Sequence, residues 1–154
     1  MRIKKAKIED LIEVEKLICK VYEKFNNKEE TKKAVQKYLK HHNPKQDFEK
    51  LKENFQKTEI FFVVVEKGKI IGVVRGNKNK VGNLFVEGKF QGKGIAKKLM
   101  NTFEKEAKKK KSKGIKIKSS IYAIQFYQKI GYKKSTGIKK LKGLNFQPMI
   151  KKLK

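Results

Sequence analysis

The chain has 154 residues, enough for one ordinary domain and too few for two. Leu, Ile, Val and Phe account for 44 of them, above the share below which a charged chain stays disordered, so a core is available. Lys and Arg total 42 against 15 Asp and Glu, a net charge of +27, yet only Arg2 and Arg75 are arginines. Proteins that grip nucleic acid use arginine for bidentate phosphate and guanine contacts, so charge carried by lysine argues against a dedicated nucleic-acid module. It fits biased codon usage better. The charge is uneven: residues 1–59 hold 16 basic and 11 acidic residues, residues 60–154 hold 26 and 4. The second part should attract polyanions at low salt.

The longest apolar run, Ile60 to Val65, is six residues, far short of a membrane span, and the start of the chain has no signal-like apolar stretch. A soluble cytoplasmic protein without membrane association is expected. Cys19 is the only cysteine, which excludes an internal disulfide and a thiolate metal cluster. His41 and His42 are adjacent with no ligand spacing around them, so they read as a solvated helix end and no metal is expected.

In chain order, Asp10 with Glu13 forms a capping-box-like start. Leu11, Val14, Ile18, Val21, Tyr22 and Phe25 then mark one helix face, ended by Asn26-Asn27. Ala34, Val35, Tyr38 and Leu39 mark a second helix stopped at Asn43-Pro44, and Phe48, Leu51 and Phe55 a short third. Ile60–Val65, the turn Glu66–Lys69 and Ile70–Arg75 read as a hairpin. The turn Gly76–Asn79 leads to a strand over Val81–Val86. From Gly92 the apolar spacing Ile95, Ala96, Leu99, Met100, Phe103, Ala107 is helical and runs out into Lys108–Lys111. Ile115 and Ile117 alternate as a strand. Ala123, Phe126, Tyr127 and Ile130 form a last helical face closed by Gly131, and strands near 133–139 and 144–151 finish a sheet. Without repeats or a linker, residues 1–154 read as a single α/β (mixed α+β) domain.

Residues 84–100, LFVEGKFQGKGIAKKLM, place a strand end, a glycine-rich loop and a helix start in succession. Glycines let backbone approach a ligand, and the free N–H groups of a helix's first turn suit phosphate, with Lys93 as an added cation. The P-loop pattern fails, because three residues separate Gly88 from Gly92 and Gly94 follows Lys93. The dinucleotide fingerprint fails for want of an acid in the Lys108–Lys111 region. Gln-x-x-Gly-x-Ala is met by Gln91, Gly94 and Ala96, and about thirty residues on comes SSIYAIQFYQKIGY, residues 119–132.

These two segments, in this order and separation, resemble the signatures of the Gcn5-related N-acetyltransferases (GNAT), nearest the small bacterial and archaeal branch with Ser-Ser before Tyr-Ala. The resemblance runs over essentially the whole chain. It implies a central, mostly antiparallel sheet with a splayed parallel strand pair, flanked by helices, and acetyl-CoA as co-substrate. By the same resemblance, pantetheine pairs with backbone at Leu84, Phe85 and Val86, and the Val86 N–H polarises the thioester oxygen. Pyrophosphate sits on amides of Gln91, Gly92, Lys93, Gly94, Ile95 and Ala96. Ser120, Ala123 and Phe126 flank the pantetheine arm, and Lys129 reaches the nucleotide phosphates. An amine attacks directly in a ternary complex, which leaves Cys19 as a core residue. Tyr127 stands at the general-acid position; a phenol near ~10 can serve a leaving thiolate near ~8.5 without tuning.

The chain departs from the pattern at three places. Ser120 replaces an Asn that many members use on pantetheine, and Glu87-Gly88 replaces the usual x-Pro. Lys80 stands where some members carry a catalytic Glu, so the base is unassigned between Glu87 and water. The acids Glu23, Glu29 and Glu30 lie in the part of the chain that usually faces the acceptor. An electropositive CoA side and a nearly balanced acceptor side are therefore expected, with a small amine as acceptor. Rival readings are a CoA-binding protein without catalysis and a basic nucleic-acid module. A homodimer is open, since dimers are common in similar proteins.

Overall fold

A computed structural model describes residues 1–25, 48–141 and 143–154, with the single positions 36 and 40. The second helix expected over 34–39, its stop at Asn43-Pro44, the Asn26-Asn27 end of the first helix and His41-His42 lie outside the described residues. The elements are β1 (Arg2–Lys5), α1 (Leu11–Phe25), α2 (Phe48–Lys57), β2 (Ile60–Glu66), β3 (Lys69–Asn77), β4 (Lys80–Val86), α3 (Ile95–Lys109), β5 (Gly114–Ser119), α4 (Ile124–Lys129), β6 (Lys133–Lys134), β7 (Lys139–Leu141) and β8 (Leu144–Lys152). One sheet runs β1-β2-β3-β4-β5-β8-β6, with β7 also against β8. All pairs are antiparallel except β4 with β5.

The unbroken apolar run of β2 has a simple cause, because both faces of the strand are covered. Phe62 and Val64 face α3, while Phe61 and Val63 face α1. On α3, Ile95, Leu99, Met100, Phe103 and Ala107 are all buried, a three- and four-residue stripe laid on the sheet. On the other side Leu11, Val14, Leu17, Ile18 and Val21 of α1 pack on Phe61, Val63, Ile70 and Val73.

The helix start differs from the sequence reading. A short 3₁₀ turn, Ile8–Asp10, precedes α1 and Asp10 accepts from the Lys7 N–H at 2.8 Å, so the acid closes the turn instead of opening the helix. Glu13 accepts from the Ile70 N–H at 2.7 Å and ties α1 to β3. The Gly76–Asn79 turn is also shorter than expected: β3 continues through Asn77, leaving Lys78 and Asn79 as the loop. The strand near 133–139 is two short pieces, because only 133–134 and 139–141 find partners on β8.

The parallel pair is brief. Only Lys80↔Lys116 and Val81↔Ile117 are in register, and beyond Val81 the two strands separate. The cause lies one strand back. Arg75 pairs with Asn83 but Gly76 with Val81, so Gly82 is an extra residue on β4, a bulge that bends the strand. Gly76 makes room for it, since a Cβ there would run into the Lys80 carbonyl and lie 2.9 Å from the Gly82 nitrogen.

Gly76→Ala should therefore cost about 2–3 kcal/mol in urea unfolding, out of proportion to one methyl group. An unchanged midpoint would mean the bulge does not depend on that glycine.

Candidate active site

Where β4 and β5 part, the backbone of β4 loses its neighbour. The Glu87 N–H donates to the Ile71 carbonyl at 2.8 Å, toward β3. By strand alternation the Val86 and Leu84 backbone groups face the other way, into the gap, while those of Phe85 face β3. The Gln91 side chain spans the loop and donates to the Val86 carbonyl at 2.9 Å, fixing the strand end to the loop that follows.

That loop begins with a 3₁₀ turn, Gly88–Phe90, in which Phe90 N–H donates to Glu87 O and Gln91 N–H to Gly88 O. The Gln91 amide is thus already engaged and differs from the six that follow. Among the described residues no protein acceptor faces the N–H groups from Gly92 to Lys97. The first turn of α3 closes only with Lys98 N–H to Gly94 O at 3.1 Å. Gly94 caps α3 with φ +79, in left-handed space that disfavours a side chain, and a Cβ there would meet open space within 4 Å. Open volume over free amides at the positive end of a 15-residue helix fits an anionic group such as a pyrophosphate.

Two adjoining cavities use this gap. The larger, about 470 Å³, is lined by Leu84, Phe85, Val86, Gln91, Gly92, Gly94, Ile95, Ala96, Ala123, Phe126, Tyr127 and Lys129, so the sequence-chosen residues largely converge. Phe90, Lys97, Tyr122 and Ile130 also line it and were not singled out. Phe90 and Lys97 adjoin the glycine motif, but nothing in the local pattern distinguishes them. Lys93 is not among the lining residues; it is exposed, with Nζ 5.5 Å from the Phe90 ring centre. Ser120 lines the smaller cavity, about 260 Å³, with Asn83, Lys118, Tyr122, Leu144 and Phe146 among others. Leu84, Phe85, Tyr122, Ala123 and Tyr127 border both.

Tyr127 is 6% exposed and sits between two rings, edge-on to Phe126 at 5.2 Å and to Tyr132 at 5.8 Å. Tyr132 is itself locked, donating to Glu104 at 2.9 Å, and Glu104 also accepts from Lys151 at 2.9 Å. Burial, with a smaller push from Tyr122, raises the Tyr127 phenol well above its ordinary value, so it stays protonated at neutral pH. Cys19 is half-buried on α1, lines neither cavity, and has its thiol pushed up by burial and by Glu15 and Glu23.

The candidate base Glu87 and the lysine that stands where some members carry an acid behave differently. Glu87 is buried: Oε1 accepts from Lys20 at 2.8 Å, while Oε2 accepts no hydrogen bond among the described residues and lies 3.8 Å from the Lys69 ammonium. The Lys20 bond above all holds its carboxyl below the usual range despite burial. Lys80, at the start of β4, has its ammonium lowered by burial and by neighbouring Lys118. Among the described residues no group of three or more His, Cys, Asp or Glu is placed to hold a metal, and no helix is long and apolar enough to cross a membrane.

Comparison with known proteins settles the family. The model of the acetyltransferase (GNAT) domain matches residues 26–153. The chain belongs to the GNAT acetyltransferase family. Solved GNAT structures share its fold at low identity. One is a GCN5-related N-acetyltransferase from Rhodopseudomonas palustris, with TM-score 0.83 and 16% identity, covering 99% of this chain and 95% of that one. Another is the PaiA N-acetyltransferase of Thermoplasma acidophilum in complex with coenzyme A, with TM-score 0.78 and 18% identity over 99% and 98%. An aminoglycoside 6'-N-acetyltransferase complexed with coenzyme A has TM-score 0.71 and 15% identity over 99% and 97%. No curated protein matches the chain significantly. The GNAT frame explains the mixed sheet and its one parallel pair, both expected from the motifs.

The Glu87 ion pairs give this GNAT domain an acid-side weakness. Its folded pKa lies below the unfolded ~4.3, so the contribution is complete above that value and fades as pH falls through the folded one. Glu87→Gln should cost about 1 kcal/mol in thermal or urea unfolding at pH 7, and the gap to the parent should close at acid pH. A gap that stays constant with pH would assign the loss to packing instead.

Proposed function

We propose that this chain transfers an acetyl group from acetyl-CoA to a primary amine on a small molecule, by direct attack and without an acyl-enzyme. The observation that carries this is the parting of β4 and β5, which puts the Leu84 backbone and the Val86 N–H, a row of free amides and a buried phenol around one gap. The thioester donor supplies an activated acyl carbon, and the residues of the chain bind, orient and polarise.

Pantetheine would add to β4 as a short strand, using Leu84 and Val86, with Phe85 held by β3. The Val86 N–H then meets the thioester oxygen, where negative charge grows as the amine nitrogen attacks the carbonyl carbon. Amides of Gly92, Lys93, Gly94, Ile95 and Ala96 take the pyrophosphate, with Gln91 closing the loop through its side chain. Lys129, exposed at the cavity edge, meets the nucleotide phosphates, and Ala123, Phe126 and Ser120 flank the arm. Ser120 does so from the neighbouring cavity.

The C–N bond forms, the C–S bond breaks, the sulfur gains a proton and the nitrogen loses one. Tyr127 stands at the acid's position, but burial makes it a hydrogen-bond donor to the leaving sulfur and not its proton source. A phenol raised so far does not surrender its proton freely to a thiolate near ~8.5. It donates a hydrogen bond that stabilises charge on sulfur as the bond breaks, and the proton lost by nitrogen balances the step. Glu87, hydrogen-bonded by Lys20 with Lys69 nearby and its pKa lowered, is a poor base. The acceptor therefore enters as the neutral amine, deprotonated by solvent.

Calorimetric titration with acetyl-CoA at ~0.15 M and ~0.5 M salt should give saturable 1:1 binding at both, lost in Gly94→Glu, since a shaped cradle survives screening that removes charge-only attraction. Binding that vanishes with salt, or ignores the Gly94 variant, would leave only lysines attracting a polyanion. Tyr127→Phe should lower kcat about 10²-fold while leaving acetyl-CoA affinity within a few-fold. Unchanged turnover would remove Tyr127 from the chemistry. Binding without turnover in the parent would instead favour a non-catalytic member of the family.

The pH profile tests the missing base. kcat/KM should rise with pH along the acceptor amine's own ionisation, so exchanging the acceptor for one of different pKa should move the midpoint with it. A midpoint that stays fixed whichever amine is used would demand a protein base.

A further inference from the structure

The smaller cavity has a chemistry of its own. Lys80 pairs with Lys116 across the parallel ladder, and strand alternation puts Lys118 on the same face, so three ammonium groups share one side of the β4–β5 junction. Lys118 lines the cavity and lies with Nζ 5.4 Å from the Phe146 ring centre. Lys80 is exposed beside the cavity mouth on the same face and does not itself line the cavity. Two like charges brought together at a site are unfavourable unless something anionic joins them.

No such partner is supplied from the described lining, which contains neither Asp nor Glu. The acids on elements packed near this face are engaged elsewhere. Glu15 accepts from Arg75 at 2.9 Å, Glu13 accepts from the Ile70 N–H, and Glu87 holds Lys20. Glu23 is exposed on α1 and does not line the cavity, and Glu29 and Glu30 lie outside the described residues. The described lining of this cavity is therefore positive, while the acids expected on the acceptor side, Glu29 and Glu30, lie outside the described residues. The remaining walls include the side chains of Phe85, Tyr122, Leu144 and Phe146, an apolar and aromatic enclosure.

We propose that the acceptor is a monoamine with an apolar body and an anionic group, carboxylate or phosphate, received by Lys118 together with Lys80. This rests on the acetyltransferase reading and narrows it. A polyamine or an aminoglycoside would bring further ammonium groups against uncompensated lysines and find no carboxylate to hold them. An anionic group relieves the Lys80–Lys118 repulsion and turns the body of the molecule along the aromatic wall. The same positive field disfavours the ammonium form of the acceptor, which suits a site with lysine where relatives of some branches carry an acid.

The test uses amines that share one reacting aminomethyl group on one ring: 4-(aminomethyl)benzoate, its phosphate-ester counterpart 4-(aminomethyl)phenyl phosphate, the neutral 4-(aminomethyl)benzamide and the diamine 4-(aminomethyl)benzylamine. With full-length protein and saturating acetyl-CoA, at least one anionic amine should exceed the benzamide in kcat/KM by about tenfold, with the diamine slowest. The two anionic arms separate carboxylate from phosphate. Lys118→Glu, an exposed position, should invert the order in favour of the diamine, and Lys80→Met should shrink the preference. A benzamide or diamine acetylated as fast as both anions overturns the proposal, as does an acetyl-CoA-binding protein that acetylates none of the four. Failure of the acetyl-CoA titration itself is a separate result that removes the acetyltransferase reading beneath it.

Discussion

The site depends on a sheet that fails to close. A parallel ladder held at Lys80↔Lys116 and Val81↔Ile117 would ordinarily continue, but Gly82 adds a residue to β4 and turns the strand away from β5. Backbone N–H and C=O groups left without partners in a buried sheet are costly, of the order of a lost hydrogen bond each. The chain covers part of that cost itself, since the Gln91 amide donates to the Val86 carbonyl. What remains is directional: groups at known strand spacing, facing a cavity, with α3's free first-turn amides a few residues further on. A ligand with one strand-like arm and an anionic end satisfies both sets at once. The fold's least satisfied backbone is therefore where such a ligand would be recognised.

The second element of the site is fixed at a distance. Glu104 on α3 holds Tyr132 by its hydroxyl and Lys151 by its ammonium, so α3, β8 and the turn after α4 are joined through one carboxylate. The Tyr132 ring then presents its edge or face to Tyr127 from one side and Phe126 does so from the other. Tyr127 is a short step from the helix most responsible for the core, because Phe103 and Leu99 next to Glu104 are fully buried. Rigid placement and burial come together, and burial keeps the phenol protonated. In the proposed reaction its value to a leaving thiolate would be as a fixed dipole in a dry place, where a hydrogen bond to developing charge is stronger than in water.

Features encoded over a few residues were legible in the chain. The six-residue run reads as the strand β2, the stripe from Ile95 to Ala107 as α3, and the glycines Gly92 and Gly94 as a loop opening onto a helix start. Features that depend on register between distant segments were not. Asp10 and Glu13 have capping spacing, yet Glu13 is taken by Ile70, fifty-seven residues on. Whether residues 133–139 form one strand or two is decided by where β8 offers partners. Gln91 reads as a loop residue facing a ligand, but the strand end competes for its side chain and holds it. Lys80 and Lys118 are thirty-eight positions apart and look like two solvated lysines until the parallel ladder brings them to one face.

Charge composition says little until it is placed. Some of the lysines are structural partners, as Lys20 is to Glu87 and Lys151 to Glu104, and others are ordinary exposed groups. The four acids in residues 60–154 include two, Glu87 and Glu104, that are buried in these pairs, so the second part of the chain has almost no free negative charge to offset its cations. Ionic screening over ~8 Å limits this excess to near neighbours, which makes location decisive. Lys97 and Lys129 border the larger cavity and Lys118 the smaller, so the field is positive on both sides of the β4–β5 gap. A field of one sign across both cavities favours an anionic acyl donor and disfavours a cationic acceptor through the same groups. On the proposed acetyl-transfer reading, attraction of the donor, discrimination among acceptors and the neutral form of the attacking amine would all follow from this one charge distribution.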